Sequence, residues 1–309
     1  MNLITFTIDK PSTLLRYILL LFVLTSTPVI AQKQIAFVSD TQAPMWAETI
    51  VLKPNQNERA TGLIFHDILQ QKPTSVFILG DVVNLGFKES RWVKMDRYVD
   101  SCRKVGIHVS ALLGNHDVMR NAKKGEQVFK ARFPTMVRTG SYEVVDSVAV
   151  VFLNSNFSKL STQDNEVQLG WLHTTLQNLD RDPSVMAIII TCHHAPFSNS
   201  KIVGSSDEVQ RKFVAEYKKS VKAILFMTGH SHNYEHFIND GKDFLVIGGG
   251  GGLHQPLTTQ LKDVSGIYKP EFHYLMVQRN GHKLTATSRF LHKDFTGFEN
   301  GLSFTLAIP

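Results

Sequence analysis

Cysteine is scarce: the 309-residue chain holds Cys102 and Cys192 and no Cys-x-x-Cys pair. This excludes a thiolate zinc site, a redox dithiol and a disulfide-dense scaffold. The two thiols read as buried core residues, with pairing in an oxidising compartment as the alternative. Blocks of Lys and Arg are also lacking. The net charge of +6 is spread along the chain, with no RNA-binding signature and no finger spacing, so no nucleic-acid partner is expected. The glycine run Gly248 to Gly252 lacks a Gly-Lys-Ser/Thr ending and a following helical pattern, which excludes a P-loop. It reads equally as a flexible turn or as backbone passing close to a site. Apolar residues, at 43%, suffice for a large core and argue against general disorder.

The N-terminus has its own pattern. Lys10 and Arg16 lead into the apolar run Tyr17 to Leu24, and Val29-Ile30-Ala31 supplies a cleavage site. Residues 1–31 therefore read as a secretory signal peptide. The run is shorter than the roughly 20 residues that span a bilayer, so an anchor is disfavoured. The expectation is an exported, periplasmic or secreted protein with one domain over 32–309 and no membrane span after cleavage.

Strand-like and helix-like segments then alternate. Ile35 to Val38, Val76 to Leu79 and Val109 to Leu113 are short apolar runs, separated by helical patterns over 57–71 and 89–105. Such alternation predicts parallel strands with crossover helices. Residues 142–154 suggest antiparallel strands, and 167–179 a helix. Met186 to Thr191 and Ile224 to Thr228 are buried strands flanking a helix over 207–219. Asn239-Asp240-Gly241 and Asn280-Gly281 mark hairpins in an all-β C-terminal part. The fold class expected is α/β, with two packed sheets and outer helices.

Five strand-like runs end in polar or metal-capable residues: Asp40-Thr41-Gln42, Asp81, Asn115-His116-Asp117, His193-His194 and His230-Ser231-His232. Ligand sites of open α/β sheets form where such strand ends converge. Buried polar groups are costly unless they are paired or bind metal. Any one of these pieces is adequately explained as a turn, a cap or a core histidine. Their joint occurrence at strand ends points to a metal site.

These blocks, Asp40-x-Gln42, Gly80-Asp81, Gly114-Asn115-His116-Asp117, His194-x-Pro196 and Gly229-His230-x-His232, resemble those of the calcineurin-like metallophosphoesterases. The resemblance runs from residue 33 to about 250. It implies a four-layer αββα sandwich with two mixed sheets and a dinuclear metal site at strand ends. It further implies that Asp81 bridges two divalent ions. Asp40, Gln42 and His232 would complete one site, and Asn115, His194 and His230 the other. His194 is preferred to His193 because it begins His-x-Pro. His116 would act on the phosphoryl group or leaving oxygen without binding metal.

The implied chemistry is hydrolysis of a small-molecule phosphoester by a metal-bridging hydroxide that attacks phosphorus. Mixed oxygen and imidazole donors suit Mn²⁺ first, with Fe, Zn or Co as alternatives. Two rival readings are a pyrophosphate hydrolase acting on nucleotide- or lipid-linked diphosphates and a catalytically weakened metal- or ligand-binding protein. Two positions depart from the common pattern. Gln42 stands where His is usual, and Asn84 stands where acid phosphatases of the purple type carry Tyr and protein phosphatases carry Asp. Gln also occurs at the first position in relatives similar to manganese-dependent ADP-ribose and CDP-alcohol hydrolases. Trp46 and Trp92 are candidates to line a substrate cleft.

Overall fold

The computed structural model describes residues 33–266 and 271–309. The expected signal peptide lies outside the described residues. Strand alternation organises the molecule. In the first strand, β1 (Gln34–Val38), Ile35 and Phe37 enter one apolar cluster while Ala36 and Val38 enter another. Successive strand side chains point to opposite faces, so β1 separates two cores. It pairs in parallel with β2 (Ser75–Ile78), which pairs in parallel with β3 (His108–Ala111).

The second sheet repeats the device. It begins with an antiparallel hairpin, β4 (Ser141–Val145) and β5 (Val148–Phe152), and continues in parallel through β6 (Ala187–Thr191) and β7 (Ala223–Thr228). Val148, Val150 and Ile189 face the inner core. Ala149, Val151, Ile188 and Ile190 face an outer one. A hairpin of β8 (Tyr234–Asn239) and β9 (Lys242–Ile247) closes this sheet. The remaining strands, β10 (His273–Asn280), β11 (Lys283–Leu291) and β12 (Phe298–Ala307), extend the first sheet from β1. The orders are β12-β11-β10-β1-β2-β3 and β4-β5-β6-β7-β9-β8.

Helices cover both outer faces. Helices α1 (Asn57–Gln71), α2 (Glu89–Lys104) and α3 (Ala122–Arg132) supply Ile64, Trp92 and Phe129 to the first outer core. On the other side, α4 (Thr162–Arg181) packs Leu172, Leu176 and Leu179 beside Phe213 and Tyr217 of the helical stretch over 207–219. That stretch carries a π-helical turn, Gln210–Val214. The result is the expected four-layer α/β/β/α sandwich with two mixed sheets.

Helix α4 begins earlier than its apolar periodicity suggests, because Ser161 and Asp164 form a capping box. Cys102 and Cys192 are free, buried and in opposite outer cores. Trp92 is fully buried, its Nε1–H donating to the Gly86 carbonyl, and so lines no substrate cleft at the metal-site strand ends. No helix among the described residues is long and apolar enough to cross a membrane.

Candidate metal centre

The strand ends of both sheets are tied together by main-chain hydrogen bonds. Asp40 N–H donates to Gly80 O and Gln42 N–H to Asp81 O, each at 3.1 Å, joining the loops after β1 and β2. Gly229 N–H donates to His193 O at 3.1 Å, joining the loops after β6 and β7. The two sheets then meet where His230 N–H donates to Asp40 Oδ2 at 2.9 Å. Asp40, Asp81 and His230 sit at φ of 59°, 50° and 68°. These left-handed conformations cost about 1–3 kcal/mol each unless the surroundings enforce them. All three belong to the chemically interesting blocks.

Asp117 enforces part of this geometry. Its carboxylate accepts N–H bonds from Val82 (3.1 Å), Val83 (3.3 Å) and Gly114 (2.9 Å), clamping the loop after β2 to the loop after β3. Burial and the Asp81 charge push its carboxyl up to about 8. Glu235 does the same for the last block. It accepts from Ser231 Oγ (2.7 Å), Ser198 Oγ (2.9 Å) and Asn199 N–H (2.6 Å). Ser231 is thereby turned away from its neighbours His230 and His232. In the sequence Asp117 stands within a motif block with no task of its own, and Glu235 stands outside every block. The Ser231–Glu235 spacing alone carries no signal, since the bond depends on the turn into β8.

The side chains that could hold cations converge on this junction. Asp81 Oδ1 accepts His116 N–H at 2.7 Å, whereas Asp81 Oδ2 is buried without a hydrogen-bond partner. Asp40 Oδ1 is likewise buried and unpartnered. His232 Nε2 lies 3.4 Å from Asp40 Oδ1, and His193 Nε2 lies 3.2 Å from Asp81 Oδ2. The opposite nitrogens are tied to carbonyls, His232 Nδ1–H to Leu253 at 2.7 Å and His193 Nδ1–H to Leu79 at 2.9 Å. A carbonyl-bound Nδ1–H leaves Nε2 with its lone pair directed into the site, the usual arrangement of a metal-binding histidine. Buried carboxylate oxygens without partners are expensive in any other setting. The donor set therefore fits divalent cations.

The remaining candidates are close by. Asn115 Oδ1 is 3.1 Å from His193 Nε2. In the orientation that lets the Gln42 amide nitrogen donate to Asp81 O (3.0 Å) and Asp40 O (3.2 Å), its oxygen lies 3.3 Å from His232 Nε2, so that two lone pairs face the same point, as two ligands of one cation would. Ligand atoms of Asp81, His193 and His230 all lie within 4.8 Å of one another. His194 is less buried. Its Nδ1 bonds Ser155 Oγ at 2.8 Å, and its ring centroid is 4.4 Å from that of His230.

Electrostatics follows from this crowding. Burial acts to raise Asp81, but the charges of His193 and His116 outweigh it and hold the carboxyl well below the usual range. Burial acts to lower His193, yet the carboxylates of Asp81 and Asp40 push it up to about 9, so that Nε2 holds a proton in the position a cation would take from it. His194 and His230 go down, through burial and then the neighbouring imidazoles, His194 to about 3.

Glycines allow the close approach. A side chain at Gly114 would begin 2.1 Å from Asp81 Oδ1, and one at Gly252 would begin 2.5 Å from the His232 ring. Asn57 Nδ2 donates to the carbonyls of Gly251 and Gly252 at 2.9 and 3.0 Å, so this run is held against the site. Of the two readings of the glycine run, close backbone approach is the one realised.

His116 faces a cleft of about 360 Å³ whose walls include Met45, Glu48, Val51, Met119, Ile202 and Val203. Its Nδ1 is 3.4 Å from Asn84 O, and its Nε2 is 3.8 Å from both Glu48 Oε1 and Asp81 Oδ2. Asn84 also donates from Nδ2 to Ala43 O at 3.0 Å. This residue therefore links the first loop to His116.

The family model for the calcineurin-like phosphoesterases matches residues 33–234. The chain belongs to this family. Members are metal-dependent phosphoric ester hydrolases, and the family implies a dinuclear divalent centre, for which the donors above are suited. Among solved structures, the chain is similar to the purple acid phosphatase PPD1 from yellow lupin (Lupinus luteus) seeds. Identity is 15% and the TM-score 0.65, over 90% of this chain and 54% of that one. The chain thus spans about half of the lupin protein's length.

GAP50, the anchor in the inner membrane complex of Plasmodium, matches at 15% identity and TM-score 0.66, over 90% and 89% of the two chains. A dimetal phosphatase from Danio rerio matches at 12% identity and TM-score 0.55, over 90% and 99%. At such identities the likeness speaks for the fold alone. No curated protein matches the sequence.

Proposed function

We propose that the chain hydrolyses a small-molecule phosphoester at a two-metal centre. Asp40, Gln42, Asp81 and His232 would hold one cation, and Asp81, Asn115, His230 and a histidine of the pair 193–194 the other. The observation that carries the reading is the pair of buried, unpartnered oxygens, Asp40 Oδ1 and Asp81 Oδ2, each facing a histidine Nε2. Within the pair, the geometry favours His193 over the His194 expected from His-x-Pro. Both rings have Nδ1 engaged, His193 by the Leu79 carbonyl and His194 by Ser155, but His193 Nε2 lies 3.2 Å from Asp81 Oδ2, whereas among the described residues no carboxylate oxygen lies within 4.0 Å of a His194 ring nitrogen.

When bound, two divalent cations supply charge neutralisation on the phosphoryl oxygens and a lowered pKa for the attacking water. The protein's own groups do the rest. Asp81 is fixed by the His116 N–H. The His116 ring is directed by the Asn84 carbonyl so that Nε2 points into the cleft. From there it is suited to protonate the leaving oxygen. The apolar walls of Met45, Val51, Met119, Ile202 and Val203 limit water around the reacting group.

Gln42 offers an oxygen in place of an imidazole, which favours Mn²⁺ over softer ions at the first position. Retention of His116 in the cleft speaks against a protein that only binds metal or ligand. The pattern over residues 1–31 supports an exported location. The reading is tested by turnover of p-nitrophenyl phosphate and bis(p-nitrophenyl) phosphate by chelated protein, before and after Mn²⁺ addition. Turnover restored by metal supports it. Failure on both esters with Mn²⁺, Fe²⁺, Zn²⁺ and Co²⁺ in turn refutes it.

A further inference from the structure

Burial of apolar surface drives folding, so large apolar groups held out in water need a reason. Singly scattered ones need none, but a contiguous group marks a contact surface. Among the described residues, the three most exposed large apolar side chains are Trp46, Val51 and Ile50, at 79%, 73% and 72%. All three stand in one six-residue segment, whose single 3-10 turn, Glu48–Ile50, has no buried residue. Ile202, in the loop after β6, lines the same cleft as Val51 and extends the patch. The segment is tied down. Met45 N–H donates to Glu48 Oε2 at 2.6 Å, Thr49 Oγ1 to the Trp46 carbonyl at 2.7 Å, and Asn84 Nδ2 to the Ala43 carbonyl at 3.0 Å.

Cations surround the patch. Lys53 follows it and Lys201 precedes Ile202, while Lys88 and Arg120 share with Trp46 a cleft of about 450 Å³. All four cations are exposed. The one carboxylate of residues 43–56, Glu48, is half-buried and turned inward, its Oε1 3.8 Å from His116 Nε2. Glu89, next to Lys88, is paired with Arg132.

A small molecule in either cleft would leave Ile50 bare, because Ile50 lines neither. Protein–protein interfaces are poor in Lys and pack their apolar core at interior density. Here apolar side chains stand out from a turn amid Lys and Arg, the composition of segments that rest in the headgroup region of a bilayer containing anionic lipid. We propose that Trp46, Ile50, Val51 and Ile202 form a docking surface for an anionic lipid membrane, which sets the mouth of the His116 cleft at the bilayer surface. Such docking is peripheral and needs no spanning helix. It requires neither metal nor hydrolysis, so it stands or falls apart from the reading of the centre.

The test is co-sedimentation of manganese-loaded protein with phosphatidylcholine vesicles, with and without phosphatidylserine. Wild type should bind the phosphatidylserine vesicles more tightly. Trp46→Ser/Ile50→Ser should weaken that binding about tenfold or more, as expected when two apolar side chains are withdrawn from lipid. Lys53→Glu/Lys201→Glu should weaken it too and reduce its salt dependence.

Fluorescence gives a local readout that depends neither on the N-terminal residues nor on the stability of a variant. On vesicles, Trp46 emission should shift to shorter wavelength and be quenched by brominated lipid, whereas Trp92 is fully buried and stays unquenched. Trp46→Phe, which keeps an apolar ring, should retain binding and lose the quenching. No binding, binding that EDTA abolishes, binding that Trp46→Ser/Ile50→Ser leaves unchanged, or bound protein with Trp46 unquenched overturns the proposal. So does a wild-type dimer that the double variant dissolves in the absence of vesicle binding, which would assign the patch to a second copy of the chain.

Discussion

His193 Nε2 lies 3.2 Å from Asp81 Oδ2, and its Nδ1–H is held by the Leu79 carbonyl at 2.9 Å. His194 next to it has Nδ1 engaged by Ser155, and among the described residues no carboxylate oxygen lies within 4.0 Å of its ring nitrogens. His193→Ala should therefore remove metal from the second position and abolish turnover. His194→Ala should retain most of the metal and lose less activity. Metal content by mass spectrometry after gel filtration distinguishes them, and the reverse order would restore the assignment made from His-x-Pro.

His116 carries no expected metal contact, yet it faces the cleft with Asp81 and Glu48 3.8 Å from Nε2. His116→Ala should lower kcat by roughly 10²–10⁴, the range for a lost acid–base group. Metal content should stay near wild type. Esters with acidic leaving groups should lose less, because they need less protonation. Equal losses across a leaving-group series would assign His116 to charge stabilisation alone.

Much of this centre was legible in the sequence because the blocks lie at strand ends and strand periodicity is strong. Asp40, Asp81 and Asn115 follow apolar runs that alternate between two cores, so their convergence follows from the layer architecture. The directions of the His193 and His194 rings were not legible. Adjacent residues differ only in the direction they leave the strand, and that is set by the Leu79 carbonyl, 114 positions away. Helix α3 and strand β12 carry weak signals. The apolar contribution of α3 to the core is mainly Val128 and Phe129, and β12 is an edge strand with an exposed face. The Glu235 network depends on tertiary contacts and leaves no periodic trace.

Gln42 directs its amide oxygen toward His232 Nε2, from which it lies 3.3 Å away. Gln42→His should tighten the first metal position and shift preference from Mn²⁺ toward Zn²⁺ or Fe, since imidazole binds these ions more strongly than an amide oxygen. With Asn84 where a tyrosinate would be required, neither form should show a ferric–phenolate colour. Activity after chelation and add-back of each metal checks the shift. Unchanged preference would exclude Gln42 from the ligand set.

His273 is buried and His254 half-buried beside the glycine run, and both are depressed to about 4, by burial first. The neighbouring His273 then adds to the effect at His254. Protonation is therefore easier in the unfolded chain. These groups leave stability intact above their unfolded value near 6.5 and erode it as pH falls toward 4. Each depression corresponds to about 3 kcal/mol at full effect. Urea midpoints should fall between pH 6.5 and 4, and His273→Gln should flatten that fall. A pH-independent midpoint over this window would show that the rings are not held neutral.

The central claim is a two-cation centre bridged by Asp81. Chelated protein titrated with Mn²⁺, with bound metal and bis(p-nitrophenyl) phosphate turnover followed together, tests it most directly. The account predicts no turnover without metal, two bound equivalents at full activity, and loss of both metal and turnover in a folded Asp81→Asn variant. Full activity in the chelated protein, or an Asp81→Asn variant with normal metal and normal turnover, would contradict it.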